Sequence, residues 1–363
     1  MKFICNRATL ASVMGNINSV VPARSLRPVL QNVHLSANAD NTITISGTDL
    51  EIGMSMLLPV ENLTEPQTVL VNSALLTGIV SEDTSEKVEF TVTPEGANVK
   101  TNRGEFAFAI CNEEFPEIKK IEDDNFVTIN GRDLQEAVER TKFAVSHSDG
   151  KYTFNGICVN FEGEKIDFAS SDGNRLSLVS KQISNPKKIT NLALVICKGM
   201  TELARLCGAD KTADIQFAGN EMIARVGDAR LVSRLLEGKF PQYRGVIPAE
   251  TPLKVTLDKQ ELLNGLRLVG KMCTDEVRSV SLEGANGKMV LSLNSGASGS
   301  GRYELDAVIE GGEVSTAFNC GYLIDAINAL KNKEVTLSFV QNGKPAIIVE
   351  GDFIHVVTPV TKG

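Results

Sequence analysis

The sequence predicts an α+β protein built from three similar domains, and two repeated patterns carry this prediction. A short strand, a polar turn and a helix recur as KFICNRATLASVM from Lys2, VTINGRDLQEAV from Val127 and KVTLDKQELLNGL from Lys254. A second strand–helix unit follows in each third of the chain, from Val69, Leu194 and Thr316. The spacing of these copies far exceeds the roughly 20–50 residues of a solenoid repeat. Each third is therefore predicted to be a whole domain.

Within each domain, we expect two helices packed on a curved antiparallel sheet. Runs such as NTITISGT, KVEFTVT and MVLSLN alternate apolar and polar residues, which is the period of half-buried antiparallel strands. In the first helix of the second domain, Leu134, Ala137, Val138 and Thr141 stand at i, i+3, i+4 and i+7. One apolar stripe of this kind suits a helix that covers a sheet.

The domain boundaries are predicted at two loop-like segments that resemble one another. The acidic segment FPEIKKIEDDN begins at Phe115, and the proline-containing segment FPQYRGVIPAETP begins at Phe240. Prolines disfavour continued helix or strand, and each segment opens with the pair Phe-Pro. The predicted domains are residues 1–122, 123–251 and 252–363.

The composition is that of an ordinary globular protein, with 42% hydrophobic and 23% charged residues. No uninterrupted apolar run approaches the roughly 18 residues that suggest a membrane span. The N-terminus MKFICNRATL lacks the apolar core of a secretory signal. The seven cysteines are scattered and form no CxxC motif. A disulfide framework or zinc site is not expected, and a reducing cytoplasm fits.

The sequence offers little support for catalysis. The three histidines, His34, His147 and His355, lie near no nucleophile motif. The glycine-rich run SGASGSG from Ser295 lacks the lysine of a phosphate-binding loop. We expect a protein that is not an enzyme and needs no cofactor or metal. A hydrolase that uses the carboxylates of Asp49 and Glu51 is kept as an alternative.

Basic residues lie on the predicted helices, although the formal net charge is −8. In the second domain they are Arg132, Arg140, Lys142, Lys198 and Arg205, whereas many acidic residues lie in strands and loops. Helices that line the inside of an arc would present these charges to the phosphates of duplex DNA without reading its bases. The acidic total favours another alternative, a protein-interaction scaffold of β-rich domains that does not bind DNA.

Two short segments suggest a surface pocket. They are HSDGKYTFNG from His147 and SSDGNRLSL from Ser170, and they mix polar and apolar groups beside predicted strands. Together with Pro241 and the terminal VVTPV they could edge a pocket. The alternative is a pair of polar hairpin turns.

Several motifs, in order and at matching spacing, resemble the bacterial sliding clamp family, the beta subunit of DNA polymerase III, over essentially the whole chain. They are MKF at the start, RPVLQNV from Arg27, GTDLE from Gly47, SDGNRL from Ser171, GKFPQYRGVIP from Gly238 and the terminal VVTPV. The resemblance implies a head-to-tail homodimeric ring of six domains that encircles duplex DNA and confers processivity. It also implies a cytoplasmic protein, at the nucleoid during replication. Its partners would be double-stranded DNA without sequence preference, the replicative polymerase, the clamp loader and other clients that bind through short peptides.

The resemblance assigns three sets of residues. The peptide-binding pocket would comprise Phe154, Ser171, Gly173, Asn174, Arg175, Leu176, Pro241, Val246, Asn319, Tyr322, Val357, Thr358, Pro359 and Val360. The DNA contacts would be Arg24, Lys151, Tyr152, Lys198 and Arg205. The dimer interface would include Phe106, Phe108, Lys271 and Met272, although both phenylalanines could instead belong to the domain core.

The chain departs from the family pattern at several of these positions. Asn174 replaces the usual histidine, Phe154 replaces a leucine, and the chain ends in TPVTKG. The first domain is also acidic, since residues 1–122 hold nine Lys and Arg against fifteen Asp and Glu, a net charge of −6. The predicted helices of this domain, ATLASVMGNINSVV and NSALLTGIV, carry no Lys or Arg. DNA contact in this domain is therefore expected to depend mainly on Arg24 and its neighbour Arg27.

Overall fold

The computed structural model describes residues 1–119, 125–146, 154–296 and 299–360. Its contacts divide the chain into two compact units. The first unit consists of residues 1–135, 183–189 and 198–235, and the second of residues 136–182, 190–197 and 236–363. No helix in the described ranges is both long and apolar enough to cross a membrane.

The six described α-helices fall two to each predicted domain. They are α1 (Arg7–Asn18), α2 (Ser73–Glu82), α3 (Gly131–Thr141), α4 (Cys197–Cys207), α5 (Lys259–Val269) and α6 (Cys320–Asn328). The polar residue between strand and helix is often an N-cap. The side chains of Asn6, Asn72 and Asp258 accept backbone N–H groups of α1, α2 and α5. Capping of this kind satisfies donors that the first turn leaves unpaired.

The apolar stripes expected for the helices are buried. Leu10, Val13, Met14 and Ile17 of α1 are all buried, at the spacing i, i+3, i+4 and i+7. One expectation needs correction, because α1 begins at Arg7 and so does contain an arginine. The guanidinium of Arg7 donates to the carbonyl oxygens of Val80 and Ser85, so it ties α1 to the end of α2.

The strands of the first two thirds of the chain have the following bounds: β1 (Lys2–Asn6), β2 (Asn32–Ala37), β3 (Thr42–Thr48), β4 (Ile52–Pro59), β5 (Glu61–Thr64), β6 (Thr68–Asn72), β7 (Lys87–Thr93), β8 (Gly96–Lys100), β9 (Glu105–Phe108), β10 (Ile110–Cys111), β11 (Val127–Asn130), β12 (Gly156–Glu162), β13 (Lys165–Ser171), β14 (Arg175–Gln182), β15 (Asn191–Ile196), β16 (Thr212–Ala218), β17 (Glu221–Val226) and β18 (Ala229–Arg234).

The last third contributes β19 (Leu253–Asp258), β20 (Ser279–Ala285), β21 (Lys288–Asn294), β22 (Ser300–Asp306), β23 (Val308–Glu310), β24 (Val314–Asn319), β25 (Glu334–Phe339), β26 (Ala346–Glu350) and β27 (Phe353–Val357). Short 3-10 helices lie at Pro28–Gln31, Lys142–Ala144, Tyr243–Val246 and Gly270–Met272.

Each unit contains one nine-stranded sheet and one smaller sheet among the described strands. In the first unit the orders are β10-β6-β2-β3-β4-β18-β17-β16-β11 and β5-β1-β7-β8-β9. In the second unit they are β15-β12-β13-β14-β27-β26-β25-β19-β23 and β22-β21-β20-β24. Neighbouring strands are antiparallel, as the alternating sequence pattern predicts.

The nine-stranded sheets cross the predicted domain boundaries. Strand β4 of the first predicted domain pairs with β18 of the second, and β14 of the second pairs with β27 of the third. The exact limits 1–122, 123–251 and 252–363 stay a prediction, since each nine-stranded sheet joins two of the predicted domains. Large buried aromatic side chains, including Phe3, Phe90, Phe168, Phe318 and Phe339, lie in the cores.

Candidate peptide, nucleic-acid and subunit interfaces

The turn between β13 and β14 is rigidly built and carries four of the predicted pocket residues. The hydroxyl of Ser171 donates to the carbonyl of Arg175 and accepts the N–H of Gly173, at 2.7 and 3.0 Å. Asp172 accepts the N–H groups of Asn174 and Arg175 through its Oδ1. Gly173 has a φ of +89°, a conformation that favours glycine. The backbone of this turn therefore has a defined shape.

Arg175 fixes this turn to its surroundings. Its guanidinium donates to Asp172 Oδ2 at 3.0 Å, to Asp325 Oδ2 at 2.7 Å and to the Phe143 carbonyl at 2.6 Å. It also lies 4.3 Å from the ring centroid of Tyr322. Only 9% of its side chain is exposed. Each of its three guanidinium nitrogens thus has a partner within the chain.

The end of the chain runs beside the same turn. Val357 of β27 lies opposite Arg175 of β14. Thr358 donates through its N–H and its hydroxyl to the carbonyl of Asn174, at 2.9 and 2.8 Å. The Val360 N–H donates to the carbonyl of Ala317 at 2.8 Å. The predicted pocket residues from 357 to 360 are therefore held by backbone pairing.

The apolar residues of the predicted pocket lie at different depths. Val357 is fully buried and Leu176 is 4% exposed, so both support the surface from below. Val246 and Val360 are 53% and 42% exposed, while Phe154 and Pro241 are half-buried. Solvent-facing apolar contact is available mainly at these last four positions.

Aromatic residues extend this surface. The ring of Phe154 meets that of Phe240 edge to face at 6.1 Å, and Phe240 packs on Tyr243 at the same centroid distance. A Cβ placed on Gly173 would lie 3.6 Å from the ring of Phe154. Phe240 is absent from the predicted site, although the repeated Phe-Pro pair of the sequence marks it.

The turn that carries Val246 is anchored on a buried carboxylate. Asp167 is 1% exposed and accepts the Tyr243 hydroxyl at 2.8 Å, Arg244 Nη2 at 2.6 Å and the Ser180 hydroxyl at 2.7 Å. Burial, and secondarily the neighbouring Asp167, raises the pKa of Tyr243 to about 12. The phenol therefore stays a hydrogen-bond donor, and the 3-10 turn Tyr243–Val246 stays fixed.

The remaining two pocket residues act on α6. The side chain of Asn319 accepts the N–H groups of Gly321 and Tyr322, at 2.9 and 3.3 Å, and so caps the helix. Burial is the main cause that raises the pKa of Tyr322. Tyr322 borders the ion pair of Arg175 with Asp325, because the guanidinium of Arg175 lies over its ring.

The predicted DNA contacts differ in how they are held. Lys151 and Tyr152 lie outside the described residues. Arg24 is exposed and makes no ion pair with any residue of the described ranges. Lys198 in the first turn of α4 pairs with Asp49 Oδ2 at 2.6 Å, and Arg205 near the end of α4 pairs with Glu202 at 2.9 Å.

Two of the predicted dimer-interface residues lie on a strand that ends its sheet, and the other two lie in the 3-10 helix Gly270–Met272. Phe106 and Phe108 belong to β9, the last strand of the five-stranded sheet. Phe106 is 41% exposed, and the ring of Phe108 lies 6.5 Å from the buried Phe90. Met272 covers β22, since a Cβ placed on Gly301 would lie 3.3 Å from its Cγ. Lys271 beside it is exposed.

Of the two carboxylates considered for hydrolysis, that of Asp49 has structural partners. Asp49 Oδ1 accepts the N–H groups of Glu51 and Ile52, at 3.0 and 2.7 Å, in the turn between β3 and β4. Within the described ranges, no group of three or more His, Cys, Asp or Glu residues is arranged to hold a metal ion.

Comparison with known proteins gives one consistent picture. Models of the DNA polymerase III beta subunit match the chain in three parts: the N-terminal domain at residues 1–119, the central domain at 128–242 and the C-terminal domain at 244–359. The beta sliding clamp of Escherichia coli K12 is 27% identical over 93% of this chain and 92% of its own length. That of Pseudomonas aeruginosa is 25% identical over 99% of this chain and 100% of its own length.

Solved structures agree with these relatives. The crystal structure of the DNA polymerase III subunit beta from Pseudomonas aeruginosa superposes with a TM-score of 0.94 at 26% identity, with both chains fully covered. The sliding clamp of Bacillus subtilis superposes with a TM-score of 0.92 at 21% identity, again with both chains fully covered, and supports the fold alone.

Proposed function

Because the chain belongs to the family of the DNA polymerase III beta subunit, we propose that two copies close head to tail into a ring around duplex DNA. The chain is a processivity clamp with the three-domain sliding clamp fold. It is a non-catalytic accessory subunit of the polymerase, and this excludes the hydrolase alternative. A closed ring would keep the polymerase on DNA by topology, so tight contact with the duplex is unnecessary.

The unpaired sheet edges are the observation that carries the ring. Within the chain, β4 joins β18 and β14 joins β27, and each junction completes a nine-stranded sheet. In the repeat, β22 corresponds to β4 and β14, and β9 corresponds to β18 and β27. Counting described strands, β22 ends a sheet of four and β9 ends a sheet of five. Pairing β22 of one copy with β9 of the other would form a third nine-stranded sheet and cover two edges that otherwise invite aggregation.

The two internal junctions have the same register, and this register can be transferred to the proposed one. Ile52 lies opposite Ser233, and Arg175 lies opposite Val357. The last residue of β3, Thr48, pairs with Gly53, and Ile52 directly precedes Gly53. In the same way the last residue of β13, Ser171, pairs with Leu176, and Arg175 directly precedes Leu176. In β22, where Ser300 pairs with Asn294, the corresponding residue is Gly299.

The same count identifies the partner position in β9. The hairpin before each junction has a last pair of opposed residues next to its turn, and the second residue of that pair closes the hairpin. Ala229 closes the hairpin of β17 and β18, and Ser233 lies four residues after it. Phe353 closes the hairpin of β26 and β27, and Val357 lies four residues after it. In β9 the closing residue is Gly104, whose carbonyl accepts the Thr101 N–H at 2.8 Å. The corresponding residue is therefore Phe108. We expect Phe108 opposite Gly299, Phe106 opposite Gly301 and Glu105 opposite Arg302.

Three observations support this register. Phe108 faces the core through Phe90, and Tyr303 of β22 faces α5, so the core-facing sides of the two strands coincide. Gly301 has no side chain and Met272 lies over its backbone, so Phe106 would meet Met272 at this position. The exposed Glu105 meets the exposed Arg302 with opposite charge. A one-residue slip would reverse the faces, and a two-residue slip would place Glu105 opposite Glu304 or Ser300.

The partners follow from the family and from the surfaces described above. Duplex DNA would be held without sequence preference by Arg24, Lys151, Tyr152, Lys198 and Arg205. The replicative polymerase, the clamp loader and other clients would dock short peptides on the surface formed by Phe154, Pro241, Val246 and Val360, supported by Leu176. Peptides of this kind insert apolar side chains while polar groups hold the backbone. We expect the chain to work at the bacterial nucleoid during replication.

Retention on circular DNA tests the proposal. The protein is loaded onto a nicked circular plasmid by a clamp loader and ATP, and bound protein is separated by gel filtration at high salt. We expect retention on the circle, release after linearisation, and a free-protein mass of twice 39.1 kDa by light scattering. Equal release from circular and linear plasmid would contradict topological binding, and it would favour a scaffold that does not enclose DNA.

A further inference from the structure

The two described cations of α4 that are expected to face DNA already bind carboxylates of the chain. Lys198 Nζ lies 2.6 Å from Asp49 Oδ2, and Arg205 Nε lies 2.9 Å from Glu202 Oε2. In both pairs the carboxylate is the more buried partner, since Asp49 and Glu202 are each 14% exposed while the cations are 45% and 42% exposed. The carboxylates are thus the partly buried members of the two ion pairs, and the exposed cations bind to them.

Asp49 is held in place independently of Lys198. Its Oδ1 accepts the backbone N–H groups of Glu51 and Ile52, which leaves Oδ2 directed at the lysine. Lys198 lies in the first turn of α4, and this turn contains no acidic residue. The positive end of the helix dipole disfavours a cation there, so the charge of Asp49 compensates for that position.

Glu202 and Arg205 are held more tightly, by the end of α1. Glu202 Oε2 accepts the Ser19 hydroxyl at 2.6 Å. Arg205 donates through Nη1 to Asn16 Oδ1 and through Nη2 to the Ser19 hydroxyl, both at 2.8 Å. Most donors of Arg205 are therefore already used, and the residue ties α4 to α1.

We propose that Asp49 and Glu202 occupy the positions that DNA phosphates would take beside Lys198 and Arg205, and so set how weakly the ring contacts the duplex. This inference rests on the proposed passage of DNA along α4. A phosphate that reaches Lys198 must first displace a fixed carboxylate, so its net gain is small. The slope of log K against log salt is proportional to the number of phosphates that the protein neutralises. A cation that is already paired with a carboxylate adds little to that number. Weak contact suits a ring that must slide.

The variant Asp49→Asn tests this role. The amide oxygen can still accept the two backbone N–H groups of the turn, while the negative charge at Lys198 is removed. We expect the affinity for a short duplex to rise up to about eightfold at 0.1 M salt, and the slope of log K against log salt to steepen by up to about 0.9. Fluorescence anisotropy over a salt series measures both. Glu202→Gln should give a smaller gain, because Asn16 and Ser19 still hold Arg205.

Two controls separate this role from a general change in net charge. Asp40→Asn removes one exposed charge at the other end of β3, and it should leave affinity and slope near those of the parent. Lys198→Ala combined with Asp49→Asn should lose the gain. The inference is overturned if Asp40→Asn matches Asp49→Asn, or if the gain persists without Lys198. The ring proposal is judged separately, by retention of the unaltered protein on circular DNA.

Discussion

Arg175 and Val246 show how residues of one predicted site take different roles. Arg175 has 9% of its side chain exposed, and its guanidinium donates to Asp172, Asp325 and a backbone carbonyl. Val246 is 53% exposed on a turn that the buried Asp167 holds through Tyr243 and Arg244. A fixed, exposed apolar side chain can gain burial from a ligand, whereas an arginine already paired in the protein gains little.

Peptide binding should accordingly depend on Val246. We expect Val246→Asp to weaken binding of a short peptide ending in two large apolar residues at least about tenfold, because burying one such side chain contributes roughly 1.5 kcal/mol or more. Titration calorimetry gives the affinity. Val349→Asp is the matched control, since Val349 is also exposed, at 59%, but lies near the end of β26, opposite Ile354. Equal weakening by both variants, or by neither, would move the peptide site elsewhere.

At the scale of elements, the edge strands β9 and β22 carry the proposed subunit contact. Opposite charges facing each other across an antiparallel pair stabilise it by roughly 0.2–1 kcal/mol, and like charges destabilise it. A closed dimer contains this junction twice. A change in one cross-strand pair therefore acts on the dimer two times.

Charge reversal at this junction tests the register. Glu105→Arg alone and Arg302→Glu alone should each raise the dimer dissociation constant at least about fourfold, because each places like charges opposite one another twice. The double variant should recover most of the loss. Sedimentation equilibrium over a dilution series measures all three.

A double variant as weak as both losses together would contradict the register but not the junction. Met272→Glu tests the junction itself, since it places a charge where Met272 covers β22. It should yield folded monomer, and an unchanged dimer mass would place the subunit contact elsewhere.

The sequence predicts local units well and long-range neighbours poorly. Strand, N-cap and helix are consecutive in the sequence, so the capping residues Asn6 and Asp258 predict where their helices begin. Alternation of apolar residues shows which face of a strand is buried but not which strand lies beside it. Nothing local therefore indicates that Ser55 faces Arg230.

The same limit applies to the candidate site. Glu202 and Arg205 are three residues apart on a helix, and their pairing follows from that spacing. Asp49 and Lys198 are separated by 149 residues, so their ion pair cannot be read from the sequence.

At the scale of the whole molecule, a network of charges joins residues of the second and third predicted domains. Glu136 pairs with Arg140, Lys181 and Lys331, and Glu350 pairs with Arg140. Burial disfavours ionisation of Glu136, but hydrogen bonds from Lys331 and Lys181 outweigh it and lower the pKa. Burial also opposes ionisation of Glu350, yet the N–H groups of residues 332 and 331 and then Arg140 lower its pKa.

His355 adds a second acid-sensitive group. Its ring is fully buried beside Ser177, and burial lowers its pKa from 6.5 to about 3. Between these values the unfolded chain binds a proton that the folded chain does not, so its contribution to stability is lost as pH falls from 6.5 towards 3. The two glutamates have folded pKa values below 4.5, so their contribution is lost only as pH falls below about 4.5.

Acid should therefore destabilise the protein in two steps. We expect the urea midpoint to fall between pH 6.5 and 4.5 through His355, and more steeply below about pH 4.5 through the glutamates. His355→Gln should flatten the profile between pH 6.5 and 4.5 and also reduce the slope below pH 4.5, because its folded pKa is about 3. Glu136→Gln should reduce only the slope below about pH 4.5, so the range above pH 4.5 tells the two variants apart. Urea unfolding followed by circular dichroism at several pH values measures the midpoints. If both variants keep the parent profile, these groups do not set the acid response.

The common register of the sheet junctions has a consequence for where the proposed ring opens. Strands β4 and β18, like β14 and β27, belong to one polypeptide, so each stays at an effective concentration near its partner that dilution does not change. Strands β9 and β22 of different copies meet only by mass action. The proposed junction would thus differ from the two intrachain ones in its response to dilution and to competitors. The proposed ring would open at the junction without a covalent tether, and a protein that occupies the edge of β9 or β22 would hold it open.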